Sequence, residues 1–144
     1  MIVTEGTKRK ITPKEIKKYQ TKYRWVITSN YRYENNSHIV EVPKGFLSDG
    51  STFSPDFGSG WIFHDYLYAS HNFCDNKECG RIEADQIMID ILKNTKYDGF
   101  ISTYYAYMFS GLVYAMSYYN LFYSFSDAWN SSGSRGCEFL ENME

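Results

Sequence analysis

Two stretches of the sequence carry its clearest pattern: His64-Asp65-Tyr66-Leu67-Tyr68 and the acid-bearing run Ile82–Lys93 that follows it. In both, apolar residues return every three or four positions, which is the period of an amphipathic helix. The link between them, 72–80, is short and polar, and short helices joined in this way pack antiparallel. We therefore predict a helix from Trp61 to about His71, and a second from about Arg81 to Lys93 that faces it.

Helical geometry places a histidine and a carboxylate among apolar neighbours. At about 100° per residue, Trp61, Leu67 and Tyr68 lie on the same side of the first helix as His64. On the second helix, Asp85 lies in the middle of an apolar face that consists of Ile82, Met88, Ile89 and Leu92. A buried carboxylate costs several kcal/mol unless it is paired and hydrogen-bonded. We predict that Asp85 pairs with His64 and that Tyr68 lies beside them.

This pair is compatible with two kinds of function. In an enzyme, Asp85 would fix the tautomer of His64 and leave the other ring nitrogen to take a proton from water. In a structural protein, the same His–Asp–Tyr network would only specify the packing of the core. Asp65 distinguishes the two, because it points about 100° away from His64. A packed core has no need of this carboxylate, whereas a metal site does.

The front of the chain predicts one short helix and a β-hairpin. Thr12 is a suitable N-cap, Pro13 fits the first helical position, and Glu15 completes a capping box. From residue 23 the pattern becomes β-rich, and a second β-rich run, 38–42, follows an Asn-containing turn. The Gly/Ser/Asp-rich stretch 44–60, which contains Asp49 and Gly50, is expected to be a loop.

Residues 99–126 form a run of 28 residues without a charged side chain. Its length is that of a membrane span. Its seven tyrosines are spread along the whole run, however, whereas bilayer spans concentrate tyrosine at the interfaces. We therefore predict a long buried helix, broken near Gly111, and keep a membrane-associated protein as the third interpretation.

The predicted fold class is α+β, with a β-hairpin and a short basic helix packed on three or more helices that include the His–Asp pair. At 144 residues the chain is expected to form a single domain. Its expected parts are a basic segment (1–22), the hairpin (23–43), the loop (44–60), a helical core (61–126) and a loose tail (127–144).

Charge is distributed unevenly along the chain. The formal net charge is −2, so there is no specific nucleic-acid signal, but residues 1–32 carry nine Lys/Arg against two acids. This basic front is either a solvated face or an attachment to an anionic membrane surface, to nucleic acid or to an acidic neighbouring subunit. Three cysteines and no recognisable signal peptide favour reduced thiols inside a cell, and the scattered histidines argue against zinc.

The motifs resemble those of a family of phage and bacterial proteins known only as a domain of unknown function. The residues that carry this resemblance are Val42-Pro43-Lys44-Gly45-Phe46, Ser48-Asp49-Gly50, His64-Asp65-x-x-Tyr68 and Arg81-x-x-Ala84-Asp85. The match covers about residues 24–125 and departs from the family pattern within the loop. It implies a phage- or large-virus-type protein, located in the virion or the host cytoplasm, with virion proteins or further copies of itself as partners.

A weaker resemblance is to phospholipase A2, in particular the short viral-capsid form. There, a His-Asp-x-x-Tyr helix is followed by a helix that carries Ala-Asp. The resemblance implies an ester hydrolase in which His64 activates water, Asp85 orients His64 and Tyr68 hydrogen-bonds Asp85. It also implies Ca²⁺ bound by Asp65 with the help of Asp49 and Gly50, since calcium takes six to eight oxygen ligands. The Tyr-x-Gly-x-Gly calcium loop and the disulfides of the secreted enzymes are absent from this sequence.

Overall fold

The computed structural model describes residues 1–50, 58–73, 77–96, 99–122, 124–133 and 137–140. Within these ranges the chain has the predicted α+β architecture, with six strands and five helices. The strands are β1 (Ile2–Thr4), β2 (Thr7–Lys10), β3 (Trp25–Ser29), β4 (Tyr31–Glu34), β5 (Ile39–Val42) and β6 (Leu47–Ser48). The helices are α1 (Pro13–Tyr19), α2 (Gly60–Ser70), α3 (Arg81–Asn94), α4 (Phe100–Tyr119) and α5 (Phe125–Gly133).

The described strands form two antiparallel sheets, in the orders β1-β4-β5 and β2-β3-β6. The predicted hairpin is β4 with β5, and its turn is closed by the Asn35 side chain, which accepts hydrogen bonds from the backbone N–H groups of Ser37 and His38. The preceding strand, β3, lies in the other sheet between β2 and β6. The hairpin is therefore shorter than the predicted 23–43, and the stretch 44–60 contains a short strand as well as loop.

The basic front of the chain is part of the folded domain. Strand β1 pairs with β4 in one sheet, and β2 pairs with β3 in the other. Helix α1 begins as predicted: the Glu15 amide donates to Thr12 Oγ1 and the Thr12 amide donates to Glu15 Oε1. Arg9 on β2 forms two hydrogen bonds with the Glu15 carboxylate, of 2.7 and 2.9 Å. This ion pair fixes the helix to the sheet.

Helices α2 and α3 pack antiparallel, as predicted. At one end, Gly60 lies against Met88 and Ile91, and at the other the Cys79 amide donates to the His71 carbonyl. The inner face of α2 contacts the β4-β5 hairpin, where Tyr33 packs on Phe63. The site-bearing helices are therefore fixed between the hairpin on one side and α4 and α5 on the other.

The prediction of a long buried helix over 99–126 is wrong in two respects. Helix α4 runs without a break through Gly111 and ends at Tyr119, where Asn120 adopts a left-handed conformation. Only one side of α4 is buried, against α3, and most of its tyrosines are exposed. Among the described helices, none is both long enough and apolar enough to cross a membrane.

The described part of the tail, 127–133 and 137–140, is more ordered than predicted. Helix α5 occupies its first part, and Phe125 at its start is buried in the core. Further on, the Leu140 amide donates to the Gly45 carbonyl, and Phe139 forms a β-bridge with Phe46. The sequence suggested a loose tail because Ser, Gly and Asn dominate it, whereas a few apolar side chains are enough to fix it.

Candidate functional site

The centre of the site is the carboxylate of Asp85, which has no exposed surface and accepts hydrogen bonds from three different helices. Its Oδ1 lies 2.7 Å from His64 Nε2 and 2.5 Å from the Tyr68 hydroxyl, both on α2. Its Oδ2 lies 2.9 Å from an Arg81 guanidinium nitrogen on α3 and 2.6 Å from the Ser117 hydroxyl on α4. The structure therefore brings together the three residues that the sequence predicted to meet, His64, Tyr68 and Asp85.

The local sequence explains why these side chains converge. His64 and Tyr68 are one turn apart on α2 and point to the same side, so one oxygen of Asp85 reaches both. Asp85 lies on the inner side of α3, as the apolar positions around it indicated. With these faces of the two antiparallel helices opposed, one oxygen of the Asp85 carboxylate is directed at donors on α2.

The hydrogen bond to Asp85 determines which nitrogen of His64 carries the proton. An ionised carboxylate only accepts hydrogen bonds, so Nε2 is the protonated nitrogen and Nδ1 holds a lone pair. No hydrogen bond to Nδ1 comes from any residue within the described part of the chain. The ring packs against Tyr68 and Phe125, at centroid distances of 4.2 and 5.1 Å, and its side chain is 11% exposed. His64 thus has the tautomer of a general base.

Arg81 and Ser117 are parts of this site that the sequence prediction did not assign. The Arg81 guanidinium also donates to the Ser117 carbonyl at 2.8 Å, so it connects α3 to α4 as well as to Asp85. Arg81 was detectable in principle, since it is four residues before Asp85 and such pairs meet on a helix. Ser117 was not, because 32 residues separate it from Asp85 and only the packing of α4 brings it near.

Tyr68 is held as a hydrogen-bond donor. Burial, followed by the nearby charge of Asp85, raises the pKa of Tyr68 above its usual range. Its ring packs edge-on against Trp129 of α5 at a centroid distance of 5.0 Å. A neutral, fixed hydroxyl stabilises the ionised form of Asp85 without competing for the proton on His64.

Asp65 points away from this network, as predicted, and lies next to β6. It accepts a short hydrogen bond from the Ser48 hydroxyl, which in turn accepts from the Gly50 amide at 3.2 Å. Burial, with a smaller contribution from Asp49, raises the pKa of Asp65 to about 6. The nearby His64 lowers this pKa, but within the described ranges no Lys or Arg forms an ion pair with Asp65, and a desolvated carboxyl group of this kind is well suited to a cation.

The described residues provide only part of a calcium site. Asp49 is exposed, and Gly50 has a structural role: its φ is +86° and a side chain there would collide with the Trp25 ring. Over the ranges that the structure describes, no group of three or more His, Cys, Asp and Glu side chains is placed to hold a metal ion. Residues 51–57 of the predicted loop lie outside the described residues. So does Cys74, one of the three cysteines expected to be reduced thiols. The calcium site therefore stays a prediction that rests on Asp65.

Comparisons with protein-family models, with curated proteins and with solved structures found no match for this chain. The resemblances drawn from the motifs therefore remain predictions.

Proposed function

We propose that the chain is a small ester hydrolase with a phospholipase-A2-like site, in which His64 is the general base. The observation that carries this proposal is the orientation of His64: Asp85 holds its Nε2 at 2.7 Å, while Nδ1 has no hydrogen-bond partner among the described residues. Among the described residues, the buried side-chain polar atom without a partner is His71 Nε2, so Nδ1 of His64 is not sealed from solvent, as a base that takes a proton from water requires.

The proposed reaction needs one proton transfer in each direction. His64 Nδ1 takes a proton from a water molecule as the water oxygen bonds to the ester carbonyl carbon, and Asp85 stabilises the imidazolium that forms. When the intermediate collapses, the C–O bond to the alcohol breaks and the imidazolium returns the proton to the leaving oxygen. The products are a carboxylic acid and an alcohol, and His64 is regenerated.

Calcium is part of the proposal through Asp65. When bound there, it would polarise the ester carbonyl and offset the negative charge that develops on its oxygen. The raised pKa of Asp65 supports this assignment, since ionisation of a desolvated carboxyl group becomes favourable once a cation is beside it.

The test is hydrolysis of phospholipid and simple carboxylic esters, with Ca²⁺ and with a chelator. His64→Gln should fold normally, because the glutamine amide can still donate to Asp85, and should lose at least about 100-fold in kcat, the usual contribution of a general base. His38→Gln is the matched control, since His38 also pairs with a carboxylate, Glu83 at 3.1 Å, but on the surface. Equal residual activity in the two variants would refute the role of His64.

A non-enzymatic protein of a virion or phage tail is the second candidate. It is favoured by the four hydrogen bonds that the Asp85 carboxylate accepts, because they join α2, α3 and α4 as a structural network would. On this proposal the partners are virion proteins or further copies of the chain, and His64→Gln is neutral in every assay except stability. Particles assembled normally without the protein would count against it.

A further inference from the structure

One side of α4 is an apolar surface that nothing in the described chain covers. Ten large apolar or aromatic residues of this helix are 41–85% exposed. They are Phe100, Ile101, Tyr104, Tyr105, Tyr107, Met108, Leu112, Tyr114, Tyr118 and Tyr119. At 100° per residue they occupy the half of the helix opposite Ala106, Ser110 and Ser117, which are buried. The surface has no charged side chain, because the whole segment 99–126 has none.

The middle of this surface has the spacing of a helix–helix contact. Ile101, Met108 and Ala115 are seven residues apart, and so are Tyr104, Gly111 and Tyr118. The two series alternate at intervals of three and four, which is the pattern that places side chains along one seam between two packed helices.

Gly111 lies at the centre of α4, and no packing contact in the described part of the chain requires a glycine there. A Cβ added there would meet no atom within 4 Å, so no neighbouring element requires its small size. Glycine is also the least favourable residue in a helix interior apart from proline. Its presence at the centre of an apolar seam, with Ala115 one turn further on, is explained when another helix approaches the backbone closely at that point.

The area of the surface matches that of a stable dimer. Seven of the ten side chains are aromatic, and large aromatic side chains bury about 150–250 Å² each, so ten roughly half-exposed residues offer on the order of 1,000 Å². A standard interface takes about 800 Å² from each partner, and an isolated protein rarely exposes so large an apolar patch. A second copy fits without electrostatic penalty, since two uncharged surfaces meet across a two-fold axis.

We propose that the chain forms a two-fold symmetric dimer in which α4 packs against α4 of a second copy, crossing near Gly111. A lipid surface would also cover apolar side chains, but it requires neither heptad spacing nor a gap at the centre of the helix. Those two features favour a second helix. Because α4 also supplies Ser117 to the Asp85 network from its opposite side, each copy keeps its own site intact.

The test is sedimentation velocity of the full chain over a wide concentration range, with two substitutions on α4. Wild type should sediment at twice the monomer mass of 16.9 kDa. Met108→Glu places a charge on each side of the seam and should weaken dimerisation by at least about 100-fold, since like charges at an interface are strongly unfavourable. Gly111→Leu has open space in the monomer and improves helix propensity, so it should keep the fold and prevent close approach.

Ile2→Glu is the matched control, because Ile2 is 63% exposed on the strand β1, away from α4. This variant should dimerise as wild type does. A wild-type chain that stays monomeric at all concentrations would overturn the proposal, and binding of that monomer to phosphatidylcholine vesicles would identify lipid as the occupant instead. A dimer unaffected by both Met108→Glu and Gly111→Leu would equally overturn it.

Discussion

Replacement of Asp85 by Asn tests the centre of the site most directly. Asparagine has the shape of aspartate but only one acceptor oxygen, so it cannot accept from both pairs of donors that now meet the two carboxylate oxygens. The favourable orientation points the amide oxygen at Arg81 and Ser117, because the guanidinium cannot accept a hydrogen bond. The amide nitrogen then faces His64 and Tyr68.

The expected loss of stability follows from these contacts. The change replaces two hydrogen bonds to a charged oxygen, each worth about 1.5–3 kcal/mol, by weaker neutral contacts at best, and leaves the Arg81 guanidinium facing a neutral partner. The total agrees with the ~3–5 kcal/mol typical of a broken buried ion pair. For a chain of 144 residues this corresponds to a drop of about 10–15 °C in Tm.

The same substitution also changes the tautomer of His64. An amide N–H at the position of Oδ1 donates to Nε2, so the ring proton moves to Nδ1 and the lone pair required of a general base is lost. Asp85→Asn should therefore remove ester hydrolysis even at temperatures where the variant is fully folded.

The assay is equilibrium unfolding in urea, followed by circular dichroism, with Asp90→Asn as the matched control. Asp90 lies on the same helix, but in the described structure its carboxylate accepts only from the Gln86 amide, and its substitution should change the free energy of unfolding by less than about 0.5 kcal/mol. A loss below about 1 kcal/mol for Asp85→Asn would contradict this prediction, since it would mean that the buried carboxylate is not paired with these donors.

Three further predictions concern charged groups around this core. Asp65→Asn should increase the free energy of unfolding above pH 6, by at most about 3 kcal/mol. The folded-state pKa of Asp65, about 6, exceeds the unfolded value of 3.8, so the wild-type protein loses stability as the pH rises from 3.8 to about 6. A stability difference between variant and wild type that does not depend on pH would contradict the assignment. Hydrogen bonds from Arg9 and Thr12 lower the pKa of Glu15 to about 2, so the wild-type protein should lose stability as the pH falls from 4.5 to about 2. Glu15→Gln should not show this loss, which is checked by measuring unfolding at pH 5 and pH 2. Arg81→Met should cost about 2–3 kcal/mol, with part of the loss restored in Arg81→Lys, as measured by thermal unfolding.

Local patterns in the sequence were sufficient for α1, α2, α3 and the hairpin. Thr12, Pro13 and Glu15 satisfy the start of a helix within four residues, and the period of apolar positions placed His64 and Asp85 on the inner faces of their helices. These features depend on hydrogen bonds and side chains close together in the chain, which is why a single sequence reveals them.

The pairing of strands that are distant in the sequence could not be predicted and is seen only in the tertiary structure. The short strands β1, β2 and β6 are fixed by partners elsewhere in the chain, and their few residues carry no periodic pattern. The exposure of α4 was also missed, because a run of tyrosines satisfies a buried and an exposed position equally well.

The site shows the same division. The sequence alone was enough to predict that His64 and Asp85 meet, since two amphipathic helices with a short link have one way to bury both polar groups. The packing of distant segments was needed to show that Arg81 and Ser117 also donate to Asp85, and that Nδ1 of His64 has no hydrogen-bond partner among the described residues. The physical reason is that a buried carboxylate needs a donor at every lone pair it presents, and the identity of those donors depends on which distant helix packs against it.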